Sequence, residues 1–435
     1  MSGGIILAAP KSGSGKTIIT AALLRSLRDR GIRVAAAKCG PDYIDPTFHA
    51  LASGRPCVNL DPWGMRTETL SALIADLEGS AQLILCEGVM GLFDGAGPDG
   101  ETGSTAELAR LTGWPVVLAV DAAGQGASVA ALLEGFARHD PDVPLAGVII
   151  NRVASPRHRA LLSEAITRHL PELPMFGAVL ADDSLRLAAR HLGLVPAGEG
   201  GEIEALLDRA ATQIAEACDI DRLTALASRS RCADAGALPG PPPLGQHIAV
   251  ARDDAFLFTY EATLAGWRRQ GAEISFFSPL ADAAPLPRAD AICLPGGYPE
   301  LHAGRLAAAS RFLAGLREGD KTIYGECGGY MVLGDTLTDA TGATHRMAGL
   351  LPLRTSFAER RRHLGYRTAQ LVASGPLGTA GTSFRGHEFH YATVIEENGV
   401  PLFTVADSSG SDFESAGLRR GAVAGSFIHL IDRAD

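Results

Sequence analysis

The sequence is poor in aromatic residues, in paired cysteines and in positive charge. Aromatics are 6% of its 435 residues, too sparse for the stacking rows on which single-stranded nucleic acid is held. Lys and Arg number 39 against 49 Asp and Glu, a formal net charge of −10. That is the wrong sign for a surface that coats phosphate backbones or anionic lipid. The seven cysteines (39, 57, 86, 218, 232, 293 and 327) are odd in number, widely spaced and contain no C-x-x-C. Neither a disulfide framework nor a structural zinc site is expected on that pattern, and a reducing cytoplasm is. No apolar run approaches the ~18 residues that span a bilayer. The opening residues MSGGIILAAPK carry no basic stretch before their short apolar run, so no secretory leader is expected. No internal repeat is evident.

What remains is ordinary globular material, 46% hydrophobic and 20% charged, long enough for two or three domains. One stretch, residues 229–246 (RSRCADAGALPGPPPLGQ), breaks the pattern with three consecutive prolines and with Gly236, Gly240 and Gly245. It can be neither helix nor central strand and reads as a linker between domains at 1–228 and 247–435. Both halves alternate short apolar runs with helical patterns. Strands are expected at Ile5–Ala9, Arg33–Lys38, Leu83–Cys86, Val116–Val120 and Ala146–Ile150, with a helix over Thr17–Arg30. In the second half they are expected at His247–Ala251, Glu273–Phe277, Ala289–Leu294 and Thr322–Gly325, with helices between. Runs apolar on both faces are strands of a buried parallel sheet, so each domain is expected to be α/β.

Residues 9–17, A-P-K-S-G-S-G-K-T, follow a strand and open a helix, which is the setting a phosphate-binding loop requires. Gly13 and Gly15 let successive N–H groups turn toward one phosphate, and the helix N-terminus adds its dipole. Lys16 would reach the β- and γ-phosphates and the Thr17 hydroxyl a Mg²⁺ ion. Lys11, Ser12 and Ser14 complete the loop, with Lys11 the weaker contact. The first glycine of the usual pattern falls on Pro10, so the loop is a deviant one.

Acidic elements follow three other strands. They are Lys38-Cys39-Gly40-Pro41-Asp42-Tyr43-Ile44-Asp45-Pro46, then Glu87-Gly88-Val89-Met90-Gly91-Leu92-Phe93-Asp94-Gly95, then Asp121. Carboxylates at the carboxyl ends of parallel strands face the binding crevice, and Mg²⁺ takes oxygen ligands. Glu87 is the first choice of ligand and Asp42 the second. Asp45 and Asp121 read equally well as loop caps. Asn151-Arg152, after a strand, read either as contacts to a nucleotide base or as a turn.

In the second half, Thr322–Leu333 reads T-I-Y-G-E-C-G-G-Y-M-V-L. The G-x-C-x-G spacing between strand and helix is the thiol version of a nucleophile elbow. At a helix N-terminus the thiol pKa of Cys327 is expected to fall. His429 in S-F-I-H is the candidate base. His387 and His390 in R-G-H-E-F-H-Y show H-x-x-H spacing without an evident third ligand, which argues against a metal there. Gly296 and Gly297 in L-P-G-G-Y-P-E, together with Gly328, offer backbone N–H groups for an oxyanion hole.

These motifs carry a resemblance. The second half, through P-G-G-Y-P-E, G-E-C-G-G-Y, G-H-E-F-H-Y and S-F-I-H, resembles a class I glutamine amidotransferase domain of the cobyric-acid-synthase type, flavodoxin-like in fold. The first half, through S-G-S-G-K-T, K-C-G-P-D-Y-I-D-P and E-G-V-M-G-L-F-D-G, resembles the dethiobiotin-synthetase-like ATPases. In this order and length the chain is similar to the cobyrinate and hydrogenobyrinate a,c-diamide synthases, over nearly its whole extent.

The resemblance implies a Cys327 thioester with His429 as base, and ammonia passed to the ATPase half. There ATP would phosphorylate a corrin acetate and ammonia would displace the phosphate. It implies ATP contacts at Lys38 and Asn151 besides the loop, and Mg²⁺ at Thr17, Asp42 and Glu87. Tyr43, Asp45 and Asp94 would face the corrin. The partners implied are small molecules (glutamine, ATP and a corrin precursor, leaning to the metal-free one), not nucleic acid or membrane, with a homodimer left open. Ordinary class I amidotransferases carry a glutamate two residues after the histidine. Here that residue is Ile431, so the site reads as a dyad, with Glu388 one candidate to orient His429. Amidation of another polycarboxylate or of corrin propionates is the near alternative. A partitioning-type ATPase switch leaves the cysteine elbow unexplained, and a non-catalytic glutaminase-like module would require an unreactive Cys327.

Overall fold

The computed structural model describes residues 2–97, 100–185, 189–190, 193–194, 202–232, 240–411 and 413–434. Contacts divide the chain into two units, Met1–Trp63 with Leu70–Gly236, and Gly64–Thr69 with Ala237–Asp435. Of the expected linker, residues 233–239 lie outside the described residues. Its flanks are held: Arg231 donates its N–H to the Thr112 carbonyl, and the Trp267 indole donates to the Pro241 carbonyl at 3.1 Å.

In the first unit, β1 (Gly3–Ala8), β2 (Val34–Cys39), β3 (Cys57–Leu60), β4 (Leu83–Glu87), β5 (Val116–Asp121), β6 (Leu145–Val153) and β7 (Met175–Leu180) form one sheet. Its order is β3-β2-β4-β1-β5-β6-β7, and every pairing is parallel. The residues of β1 and β2 are buried throughout, because helices cover both faces and side chains of either parity find apolar neighbours. Two strands had not been expected. β3 is only four residues long and carries Asn59, and β7 carries a glycine inside an otherwise apolar run. Helix α1 (Lys16–Asp29) starts on Gly15, and α2 (Asp45–Ser53) has Pro46 in its first turn and ends on Gly54 at φ 71°.

The second unit begins as expected and then departs. β8 (His247–Ala251), β9 (Glu273–Phe277), β10 (Ala291–Leu294) and β11 (Thr322–Glu326) are parallel. They are followed by β12 (His363–Leu371), β13 (Ser383–His390), β14 (Val400–Asp407), β15 (Glu414–Arg420), β16 (Val423–Ser426) and β17 (Ile428–Arg433). The sheet order is β9-β8-β10-β11-β16-β15-β14-β12-β13-β17. Its first five strands run parallel in the 2-1-3-4-5 order of flavodoxin-like sheets, and the rest are antiparallel. Purely alternating strand and helix is therefore wrong for this half. Between residues 336 and 433 strands dominate, and four more (Thr336–Thr338, Thr344–Arg346, Leu353–Ser356 and Thr393–Glu397) make a separate small sheet.

The core shows the period of two directly. Ala249, Ala251, Ile292, Leu294 and Ile323 pack into one apolar cluster. Their neighbours Ile248, Val250, Ala291, Cys293 and Tyr324 pack into another on the opposite face. The middle residues of β8 and β10 are apolar at both parities because both faces are covered.

Candidate active sites

The phosphate loop of the first unit is built as its residues require. Gly15 sits at φ 89°, and a Cβ there would come within 2.3 Å of the Asn151 side-chain nitrogen. Only glycine fits that close approach. The Asn151 amide donates to the Ser14 carbonyl at 2.9 Å, and the Ser14 hydroxyl donates to the Lys11 carbonyl at 3.0 Å. Asn151 lies within β6, opposite Asp121 of β5, not in a turn after the strand. In this structure the Asn151–Ser14 bond ties β6 to the phosphate loop. Arg152, at φ 54°, pairs with Asp121 at 2.6 Å. Lys11, Ser12 and Gly13 are exposed, while Lys16 is buried.

At the head of α1 a set of charges converges. The Thr17 hydroxyl donates to Glu87 Oε1 at 2.9 Å. The Lys16 ammonium donates to the Met90 carbonyl at 2.5 Å. Burial pulls the Lys16 pKa below its ordinary value, with Lys38 assisting and Glu87 opposing. Glu87, at the end of β4, is itself buried. Burial alone would raise its pKa, but Lys38, His49 and Lys16 outweigh that and hold it low. His49 Nε2 stands 2.5 Å from Glu87 Oε2.

Lys38, expected at the nucleotide, is buried in a cluster of charges. Its ammonium is 2.7 Å from Asp45 Oδ2, 3.2 Å from the Gly88 carbonyl and 3.3 Å from Glu87 Oε1. Burial opposes its charge, yet Asp45 and Glu87 overcome this and raise its pKa well above the usual lysine value. The cluster forms because Lys38 sits inside β2 beside Glu87 of β4. Asp42 Oδ1 accepts the N–H groups of Ile44 and Asp45, the cap of the turn into α2. Asp94 Oδ2 accepts the Gly91 N–H at 2.8 Å and closes the loop after β4. Tyr43 is buried beside Asp42 in sequence, and burial, with Asp42 and Glu87, raises the Asp45 carboxyl.

In the second unit Cys327 occupies a true elbow. It joins β11 to the short helix α3 (Gly328–Leu333) at φ 47°, ψ −104°, a conformation that costs a non-glycine residue of order 1–3 kcal/mol. Its N–H is tied to the Ser426 carbonyl at 2.8 Å, and its Sγ lies 3.7 Å from the Phe389 carbonyl. The thiol is not activated as its place before a helix suggests. Burial pushes its pKa well above the usual value, Glu300, Glu326 and Glu388 add to that, and only the Gly328 N–H pulls it down.

His429 is fully buried and meets the glycines expected to form the oxyanion hole. A Cβ on Gly296 would fall 2.2 Å from His429 Cε1, and one on Gly328 would fall 3.0 Å from the Gly297 nitrogen. Glycine at all three positions lets elbow, base and backbone N–H groups approach within contact distance. Glu388 does not orient His429: its carboxylate is held by Arg367 at 2.8 Å and His390 at 3.0 Å. Glu326 stands there instead, with Oε2 3.7 Å from His429 Nδ1. A third residue does join His390 and Glu388, since His363 on β12 stacks its ring on His390 at 4.6 Å. These three bring ligand-type atoms within 4.8 Å of one another, but Arg367 already neutralises the carboxylate.

Residues 5–195 match the CobQ/CobB/MinD/ParA nucleotide binding domain family. Residues 247–435 match the CobB/CobQ-like glutamine amidotransferase domain family. The chain is 53% identical over 435 residues to the hydrogenobyrinate a,c-diamide synthase of Brucella anthropi, covering 99% of this chain and 98% of that one. It is 53% identical to that of Rhizobium meliloti, covering 99% of each chain. To that of Rhodobacter capsulatus it is 51% identical, covering 98% of each. The chain belongs to the hydrogenobyrinate a,c-diamide synthase family. It is a glutamine-dependent amidating ligase with a nucleotide-binding half.

Two residues beside this family's motifs escaped the sequence reading. His49 lies four positions after Asp45, one turn along α2, and that spacing was the only hint of it. Glu326 stood in plain view within G-E-C-G-G, but nothing local says that the side chain preceding a nucleophile turns back toward a histidine more than a hundred residues later. Among the described residues no helix is long and apolar enough to cross a membrane.

Proposed function

We propose that this enzyme amidates the a and c acetate carboxylates of hydrogenobyrinic acid, using ATP and glutamine, as a cytoplasmic step in cobalamin biosynthesis. The observation that carries the nucleotide half is the Thr17 hydroxyl 2.9 Å from the Glu87 carboxylate at the head of the phosphate loop. Two hard oxygen donors there, with Lys16 beside them, suit a divalent cation on a nucleotide triphosphate. Thr17 and Glu87 would hold Mg²⁺, with Asp42 the further carboxylate, and the ion would supply charge neutralisation on the phosphates. Lys16 neutralises the same charge from the protein, and the loop N–H groups from Lys11 to Gly15 orient the phosphates.

A carboxylate resists attack by ammonia because oxide is a poor leaving group. Transfer of the γ-phosphoryl group to the acetate oxygen gives an acyl phosphate and ADP. Ammonia then forms the C–N bond as phosphate departs with the C–O electron pair. Tyr43, Asp45 and Asp94 are the candidates to meet the corrin. The ammonia comes from glutamine. Cys327 Sγ attacks the side-chain amide, His429 takes the thiol proton and returns it to the leaving nitrogen, and water releases glutamate from the thioester. Gly296, Gly297 and Gly328 are placed in this reading as the backbone around the oxyanion.

The test is mass spectrometry of the product after incubation with Mg-ATP, amide-¹⁵N glutamine and either hydrogenobyrinic or cobyrinic acid. Two labelled amides on hydrogenobyrinic acid are expected. Label on neither, with glutamine still hydrolysed, would overturn the corrin substrate and leave the glutaminase.

A further inference from the structure

We propose that Glu326 is the positioning carboxylate of the glutaminase site, the group that makes the Cys327–His429 pair a working triad. The proposal rests on reading the second unit as a glutaminase, and it assigns the role left vacant where Ile431, an apolar residue, stands two positions after the histidine.

The geometry is local to three strands. Glu326 is the last residue of β11 and Cys327 the next residue in the chain. β11 pairs in parallel with β16, so Glu326 lies beside Ser426, and the chain turns at Phe427 into β17, which carries His429. The carboxylate bridges this turn with both oxygens. Its Oε1 accepts the N–H of Leu430 at 3.2 Å, and its Oε2 faces His429 Nδ1 at 3.7 Å. One oxygen thus fixes the backbone immediately after the histidine while the other faces the ring. Glu326 is mostly buried, with 16% of its side chain exposed, and the His429 side chain is fully buried, so their interaction is weakly screened.

A spacing of 3.7 Å is longer than a hydrogen bond. It closes with a small rotation of ring or carboxylate, and catalytic hydrogen bonds in unliganded sites are commonly loose before substrate tightens them. With Nδ1–H turned to Glu326, the lone pair of Nε2 is the one left for the thiol proton. The same carboxylate stabilises the imidazolium formed when Cys327 is deprotonated. The need is acute here because burial and surrounding carboxylates disfavour a free thiolate. A carboxylate that precedes the nucleophile by one residue has a further consequence: nucleophile and orienter move as one rigid segment, and β17 brings the base to both.

The experiment uses the full-length enzyme and the variants Glu326→Gln and Glu326→Asp. Glutamine hydrolysis, glutamine-supported amidation and ammonia-supported amidation are followed separately. Glu326→Gln keeps the size and removes the charge, and its kcat for glutamine hydrolysis is expected to fall about 10²–10³-fold. The KM for glutamine should stay within about threefold, and ammonia-supported amidation at the wild-type level. Glu326→Asp should recover about tenfold over the glutamine variant. A kcat within about threefold of wild type in Glu326→Gln would overturn the proposal. So would a joint loss of both amidation activities with a lowered melting temperature, which marks a structural residue. Retained glutamine hydrolysis in Cys327→Ala would instead sink the glutaminase reading itself, whatever Glu326 does.

Discussion

The Thr17 hydroxyl donates to Glu87 Oε1 across 2.9 Å, joining the start of α1 to the end of β4 seventy residues later in the chain. Glu87 is the last residue of β4, and Thr17 is the second residue of α1. Their meeting point is the carboxyl edge of the sheet, where β1 is flanked by β4 and β5 and where open parallel sheets bind ligands.

Glu87→Gln should therefore remove amidation with either nitrogen source, by at least about 10²-fold in kcat, while Cys327 remains able to hydrolyse glutamine. Ammonia-supported amidation measured beside glutaminase activity checks this. Loss of glutaminase alone would contradict it.

Lys38→Met should unfold the first unit before it impairs any binding step. The substitution strands Asp45 and Glu87 inside a cluster where Lys38 is their shared cation. Removing one partner of a buried ion pair costs about 3–5 kcal/mol. Denaturant unfolding gives the value directly. A cost under about 1 kcal/mol would show that the carboxylates rearrange or take up protons cheaply.

Gly296→Ala should abolish glutamine use and spare amidation from ammonia. The added methyl would sit 2.2 Å from His429 Cε1, and His429 is too enclosed to retreat. A glutamine-dependent rate reduced by about 10²-fold or more is the expected result. An unchanged rate would mean that Gly296 and His429 can move apart at little cost.

His387 makes the second unit sensitive to mild acid. It faces His429 across β13 and β17, and burial, with His429 and Arg367 assisting against Glu388, lowers its pKa to about 3. The unfolded chain takes up this proton near the ordinary histidine value, and the folded chain does not until about pH 3. Stability is present in full above that ordinary value and falls as pH drops through the window between, by about 1.4 kcal/mol per pH unit. Between pH 7 and pH 5 the unfolding free energy should fall by about 2 kcal/mol more in the wild type than in His387→Gln. Equal pH slopes would contradict the assignment.

The motifs were legible because each is contiguous. S-G-S-G-K-T between a strand and a helix, and G-E-C-G-G between another strand and helix, specify their own backbone. The parallel strands were equally plain, since a strand buried on both faces is an unbroken apolar run. The antiparallel half of the second sheet was not. β12, H-L-G-Y-R-T-A-Q-L, is buried at only alternate or scattered positions, because one face of such a strand meets solvent and its polar residues hide the signal.

The sequence by itself determined two α/β halves, a phosphate loop, a cysteine elbow and the family. Only the tertiary structure decided which charges meet. Lys38 joins Asp45 and Glu87 rather than standing free at the crevice, because β2 and β4 are neighbours. Glu388 goes to Arg367 because β12 and β13 pair in a register that makes the two diagonal neighbours. Glu326 reaches His429 because β11, β16 and β17 bring residues 326 and 429 together. Register and strand order are long-range properties, and no local spacing encodes them.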